Sequence, residues 1–147
     1  MADLYEADVV AWSEKQADAL RRRAGNEIDW DNVAGEIEDV GISEVNATLS
    51  QIDNILRHRL YLLGWPEHAS VRRWTAELHD FERQLRRHYR PSMTGSGKVT
   101  DETVREGFAA AVEYCAAHME TEPTQPLPAT CLWTLADLLS GADEPGR

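Results

Sequence analysis

Cysteine is scarce: Cys115 and Cys131 are the whole supply in 147 residues. Neither stands in a CxxC or at a Cys/His spacing, so no zinc pattern is present, and two buried or half-buried free thiols are expected. Long apolar runs are also missing. No stretch approaches the ~20 apolar residues that a membrane span needs, so no membrane partner is expected. The first residues, Met-Ala-Asp-Leu-Tyr-Glu, lack the basic and apolar regions of a signal peptide, so a cytoplasmic location is expected. No segment alternates apolar and polar residues between turns, and no strand is predicted. Basic charge is short as well: 15 Lys and Arg stand against 26 Asp and Glu, a net charge of −11. Phosphate contacts would have to overcome that repulsion, so nucleic acid is not an expected partner.

What the chain does have is helical periodicity. Apolar residues recur at Val33, Ile37, Val40, Val45, Leu49, Ile52, Leu56, Leu60 and Leu63, in steps of three and four that mark one helix from Asp29 to Leu63. The single step of five, from Val40 to Val45, falls at Gly41. Glycine inside a helix costs about 1 kcal/mol relative to alanine, so Gly41 suggests either close approach by a neighbouring helix or a break with Ser43 as a new cap. One continuous, bent helix is the favoured reading. Asp29 is a suitable N-cap, and Gly64 followed by Pro66 a stop.

A first helix from about Asp8 to Ala24 carries Val9, Trp12, Gln16, Ala19 and Leu20. A third, from Ser70 to about Tyr89, repeats Val71, Trp74, Leu78, Phe81 and Leu85 without error. A fourth, capped by Thr100 or Asp101, buries Val104, Phe108, Ala111, Val112, Cys115 and Met119. A last one, capped by Thr130, spans Cys131 to Ser140. Residues 91–99 read as a flexible loop, 124–128 as an extended proline-rich segment running over the surface or along a groove, and 141–147 as a frayed tail. Gly95-Ser96-Gly97-Lys98 is not a phosphate loop: Ser92 stands where the first glycine belongs, Val99 follows the lysine, and a helix precedes it. The fold class is therefore all-α: a single-domain bundle of about five helices over residues 1–147, with its core at about 5–140.

Charge is polarised along the chain. Residues 1–56 carry 4 basic and 13 acidic side chains (net −9), residues 57–90 carry 8 and 4 (net +4), and residues 91–147 carry 3 and 9 (net −6). The basic segment reads as pairing with acids of its own fold.

The motif Asp29-x-x-Asn32-x-x-x-Glu36-Ile37-Glu38-Asp39-x-Gly41-x-Ser43-Glu44 is followed by His58 before Trp65, by Ser70-x-x-x-Trp74, and by Glu120-Thr121 and Cys131-Leu132-Trp133-Thr134-Leu135. This order resembles the bacterial domain-of-unknown-function family 29 over roughly residues 5–139. The chain departs from the family pattern in having Leu132 where proline is usual and in lacking an aromatic-proline ending. The resemblance implies an all-helical bacterial protein and supplies no activity, cofactor or partner.

Glu36, Glu38, Asp39 and His58 form the candidate polar site, and Gly41, Trp65, Trp74 and Trp133 are candidate structural residues. A metal site is disfavoured, because Glu36 and His58 stand 22 residues apart, roughly 33 Å along a straight helix, and no Glu-x-x-His pair is present. The plainer reading pairs Glu36 and Glu38 with basic side chains and holds His58 by hydrogen bonds near the core. A platform of Trp74 with Arg57, Arg72 and Arg73 for nucleic acid is the less favoured use of the aromatics. No catalytic set rises above chance, so neither catalysis nor a cofactor is expected. The expected function is that of a helical interaction protein with a protein partner or a second copy of itself. The alternative is a small enzyme, or a metal- or nucleic-acid-binding protein, using the polar site.

Overall fold

The computed structural model describes residues 3–141, so the expected frayed end beyond Gly141 lies outside the described residues. Seven α-helices and no strand occur among them: α1 (Leu4–Ala7), α2 (Val9–Arg21), α3 (Trp30–Gly64), α4 (Val71–His88), α5 (Pro91–Gly95), α6 (Asp101–His118) and α7 (Leu135–Ser140). α3 runs without interruption through Gly41, so no second helix starts at Ser43. The chain divides into two compact units with the boundary between Ser43 and Glu44.

In the first unit α2 starts on Asp8, whose carboxylate accepts from the Ala11 N–H, and ends at Arg22. Arg23, at φ 58°, makes the left-handed turn, and a 3-10 turn follows at Gly25–Glu27. Trp12, Gln16 and Ala19 of α2 are buried, and so is Val33 of α3. The start of α3 is tied down by polar side chains. The Asp29 N–H donates to Gln16 Oε1 at 2.7 Å, and Trp12 Nε1 and Asn32 Nδ2 both donate to Asp29 Oδ2, at 3.1 and 2.7 Å. These donors, the Asn32 amide first, hold the Asp29 carboxyl below its usual range.

In the second unit Ile52, Ile55, Leu56 and Leu60 of α3 share a core with Trp74, Leu78 and Leu85 of α4 and Val104, Phe108, Ala111 and Cys115 of α6. α3 packs on α6 at Gly107, where a β-carbon would come 3.1 Å from both Leu56 Cδ1 and Asp53 Oδ1. The periodicity of α4 hides a charge: Glu82 is buried with the apolar residues and accepts from Arg59 Nη2 at 3.3 Å, both being less than 5% exposed. The Arg59 guanidinium also lies 5.3 Å from the Trp133 ring centroid.

Two segments differ from the sequence reading. Residues 91–99 contain α5, begun by Pro91, and bury Met93 and Val99 in the core. Their small polar residues suggested a loop, but Thr94 spends its hydroxyl on the Val99 carbonyl, 2.7 Å away. The last helix begins at Leu135 instead of Cys131. Thr134 and Asp137 form a reciprocal capping box, and Asp101 accepts from the Leu135 N–H at 2.8 Å. Both thiols are free, Cys115 buried and Cys131 half-buried. Burial pushes the Cys115 thiol up to about 11, so it stays protonated and unreactive at neutral pH.

Candidate functional site

Glu36, Glu38 and Asp39 belong to the first unit and His58 to the second. Glu36 accepts from the Tyr5 hydroxyl at 2.6 Å, so its partner is a phenol and not the basic side chain expected. That bond is the main reason the Tyr5 hydroxyl titrates above its usual range. Glu38 and Asp39 are exposed. Among the described residues no group of three or more His, Cys, Asp or Glu side chains is arranged to hold a metal ion.

His58 leads to a different set of neighbours. Its Nδ1 donates to the Asn54 carbonyl at 2.7 Å, one helical turn earlier, which places a proton on that nitrogen. Nε2 lies 2.8 Å from Glu77 Oε2 on α4, a hydrogen bond that requires a second proton on either the ring or the carboxyl. Glu77 Oε1 lies 3.7 Å from Arg73 Nε. The ring of His58 is 8% exposed and packs edge-on against Tyr61 and Phe81.

This trio lines a cleft of about 520 Å³, which is also walled by Tyr61, His68, Ser70, Tyr114, His118 and Glu120. Local backbone contacts set the state of each imidazole. His68 Nδ1 accepts from the Ser70 N–H at 3.0 Å, leaving Nε2 as its donor. His118 Nδ1 donates to the Tyr114 carbonyl at 2.9 Å, leaving Nε2 as an acceptor. Ser70 is the N-cap residue of α4, yet its hydroxyl makes no capping bond. Burial pushes the Tyr61 hydroxyl up to about 12, so it remains a donor at neutral pH.

The aromatic faces around the cleft are occupied. His68 stacks on Trp74 at 4.6 Å, His118 stacks on Tyr114 at 4.0 Å, and the Arg57 guanidinium lies 3.9 Å from the same Tyr114 ring. Trp74 is itself only 5% exposed. It is therefore a core residue, and Arg57, grouped with it in the sequence reading, lies over Tyr114 instead. Sequence reasoning missed Arg73, Glu77 and His118 as neighbours of His58, because Arg73 and Glu77 come from α4 and His118 from α6, and no local spacing links either helix to His58 on α3.

The structural residues also find their reasons. Trp65 is buried and donates to the Thr121 carbonyl at 3.0 Å. Trp133 is buried, with its Nε1 lacking an acceptor among the described residues. Gly41 is a correction: a β-carbon there would meet nothing within 4 Å, so no helix among the described residues packs on it.

No helix among the described residues is long and apolar enough to cross a membrane. The fold is similar to that of a crystallographically solved alpha-helical protein of unknown function from Rhodospirillum rubrum, with a TM-score of 0.65 and 23% identity over 98% of this chain and 94% of that one. At that identity the likeness speaks for the fold alone. No curated protein matches the chain. The family model described as Domain of unknown function DUF29 matches residues 4–142, and the chain therefore belongs to that family.

Proposed function

We propose that this protein works as a helical interaction module without catalytic activity, and that its binding face is the first part of α3. The observation carrying this reading is a row of apolar side chains left in solvent. Trp30 is 60% exposed, Ile37 68% and Val40 67%, and their spacing of seven and three puts them along one side of the helix. Large side chains exposed in a contiguous row mark an interaction surface more often than a random surface does.

Charge selects the partner. Residues 1–43 carry 4 basic and 11 acidic side chains, a net −7, and Asp31, Glu36, Glu38 and Asp39 lie beside the row. A second copy docked row to row would set these carboxylates against their own kind. An amphipathic helix with apolar residues flanked by Lys or Arg meets both requirements, apolar contact and opposite charge.

A titration tests the reading, with tryptophan fluorescence as the readout and two synthetic amphipathic peptides of identical apolar face, one flanked by lysine and one by glutamate. The lysine peptide should bind saturably, more weakly at high salt, and Ile37→Asp with Val40→Asp should abolish binding while leaving the helical circular dichroism unchanged. Equal binding of both peptides, or binding untouched by the double substitution, would overturn it. Light scattering at tens of micromolar should give a mass near 16.6 kDa. Twice that mass, lost on the same double substitution, would assign the face to a second copy instead.

A further inference from the structure

We propose that the cleft around His68, Ser70 and Arg73 is a binding site for a phosphoryl group, carried by free phosphate or by a small phosphate monoester. The argument is independent of the exposed row on α3 and rests on a mismatch of donors and acceptors. Four donors line this one cleft without a hydrogen-bond acceptor among the described residues: the Ser70 hydroxyl, His68 Nε2, the terminal nitrogens of Arg73 and the Tyr61 hydroxyl. Arg73 is held loosely, its only ion pair among the described residues being the 3.7 Å contact from Nε to Glu77, and its side chain is 68% exposed. A guanidinium with free terminal nitrogens suits an oxyanion with several acceptor oxygens.

Two carboxylates also line the cleft. Glu77 is already engaged by His58 at 2.8 Å and by Arg73, so its charge faces two partners before any ligand arrives. Glu120 is exposed, has no ion pair among the described residues, and is the group that opposes an anion. His118 presents an acceptor at Nε2, which a protonated monoester oxygen can meet. The geometry also excludes a ligand held by stacking, because His68 and His118 take up the ring faces of Trp74 and Tyr114. The class that remains is small and oxyanionic. A polymer of phosphates is opposed by the net −11 of the whole chain.

Isothermal titration calorimetry of the full chain in low-salt buffer tests the site, with inorganic phosphate and glycerol 3-phosphate as separate probes. Saturable binding of at least one probe is expected. Arg73→Gln should weaken it by about tenfold or more, since a hydrogen bond to a charged group is at stake. Glu120→Gln should tighten it a few-fold, and Arg83→Gln, outside the cleft, should leave it unchanged. Tighter binding of glycerol 3-phosphate points to an organic monoester, and tighter binding of inorganic phosphate points to the free ion. Arg73 is exposed, so its variant should keep the thermal midpoint of the parent, and that midpoint is measured alongside. Absence of saturable binding by both probes, or affinity unaltered in Arg73→Gln, would overturn the proposal.

Discussion

Gly41 and Gly107 are both helical glycines, and a β-carbon would find open space at one and a wall at the other. The interrupted seam drew attention to Gly41, whereas the close helix–helix approach is made at Gly107, against Leu56 and Asp53. The two substitutions should therefore act in opposite directions. Gly41→Ala should raise stability by about 1 kcal/mol, because it removes backbone freedom from the unfolded chain and adds no clash. Gly107→Leu should cost about 1–3 kcal/mol through overpacking. Thermal melts followed by circular dichroism check both; a lower midpoint for Gly41→Ala would mean that something covers this part of α3. His58 shows the same limit of local reasoning. A place near the core was the plainer sequence reading for His58, although it lies off the seam of Leu56 and Leu60, and its partner Glu77 comes from another helix that no local pattern could supply.

Among the elements, the end of α3 is the best secured. The Thr124 and Gln125 N–H groups donate to the Gly64 carbonyl at 2.8 and 3.2 Å, and Trp65 reaches the carbonyl of Thr121. A β-carbon on Gly64 would stand 2.8 Å from Leu127 Cδ2 and 3.2 Å from Pro123 Cβ. The proline-rich segment, expected to be extended along the surface or a groove, is thus seated on the end of α3. Gly64→Ala should lift that segment, costing about 1–3 kcal/mol and speeding proteolysis between Thr121 and Leu127. Cleavage at the parental rate, with an unchanged midpoint, would show that the contact does not hold the segment. The helix stop was readable from Gly64 and Pro66, since terminators act locally. The late start of α7 was readable but missed: Thr134 has Asp137 three residues on and closes a capping box, where Thr130 has Trp133, and Asp101 from α6 adds a bond to the Leu135 N–H.

At the scale of the whole molecule, charge is the property most evident in composition and least specific in consequence. Three arginines of the basic segment 57–90 pair with acids of the same unit, Arg59 with Glu82, Arg73 with Glu77 and Arg83 with Asp80, and His58 and His88 lie against Glu77 and Glu44. With those cations engaged and the chain at −11, a gel-shift assay with single- and double-stranded DNA and RNA at low salt should show no micromolar complex. A complex that dissolves steeply with added salt would contradict this. Sequence by itself determined the all-helical class, most of the capping residues and the apolar periodicity of the helices, and it favoured, without deciding, the unbroken course of the long helix. It could do so because periodicity and capping are governed by neighbours within about four positions. Only the tertiary structure decided which apolar residues lie uncovered, with Ile37 and Val40 in solvent and Ile55 buried, and which polar groups share a cleft. Those outcomes depend on what other helices bring to the same place, and His58, Arg73 and His118 meet across 60 residues of chain that no local pattern links.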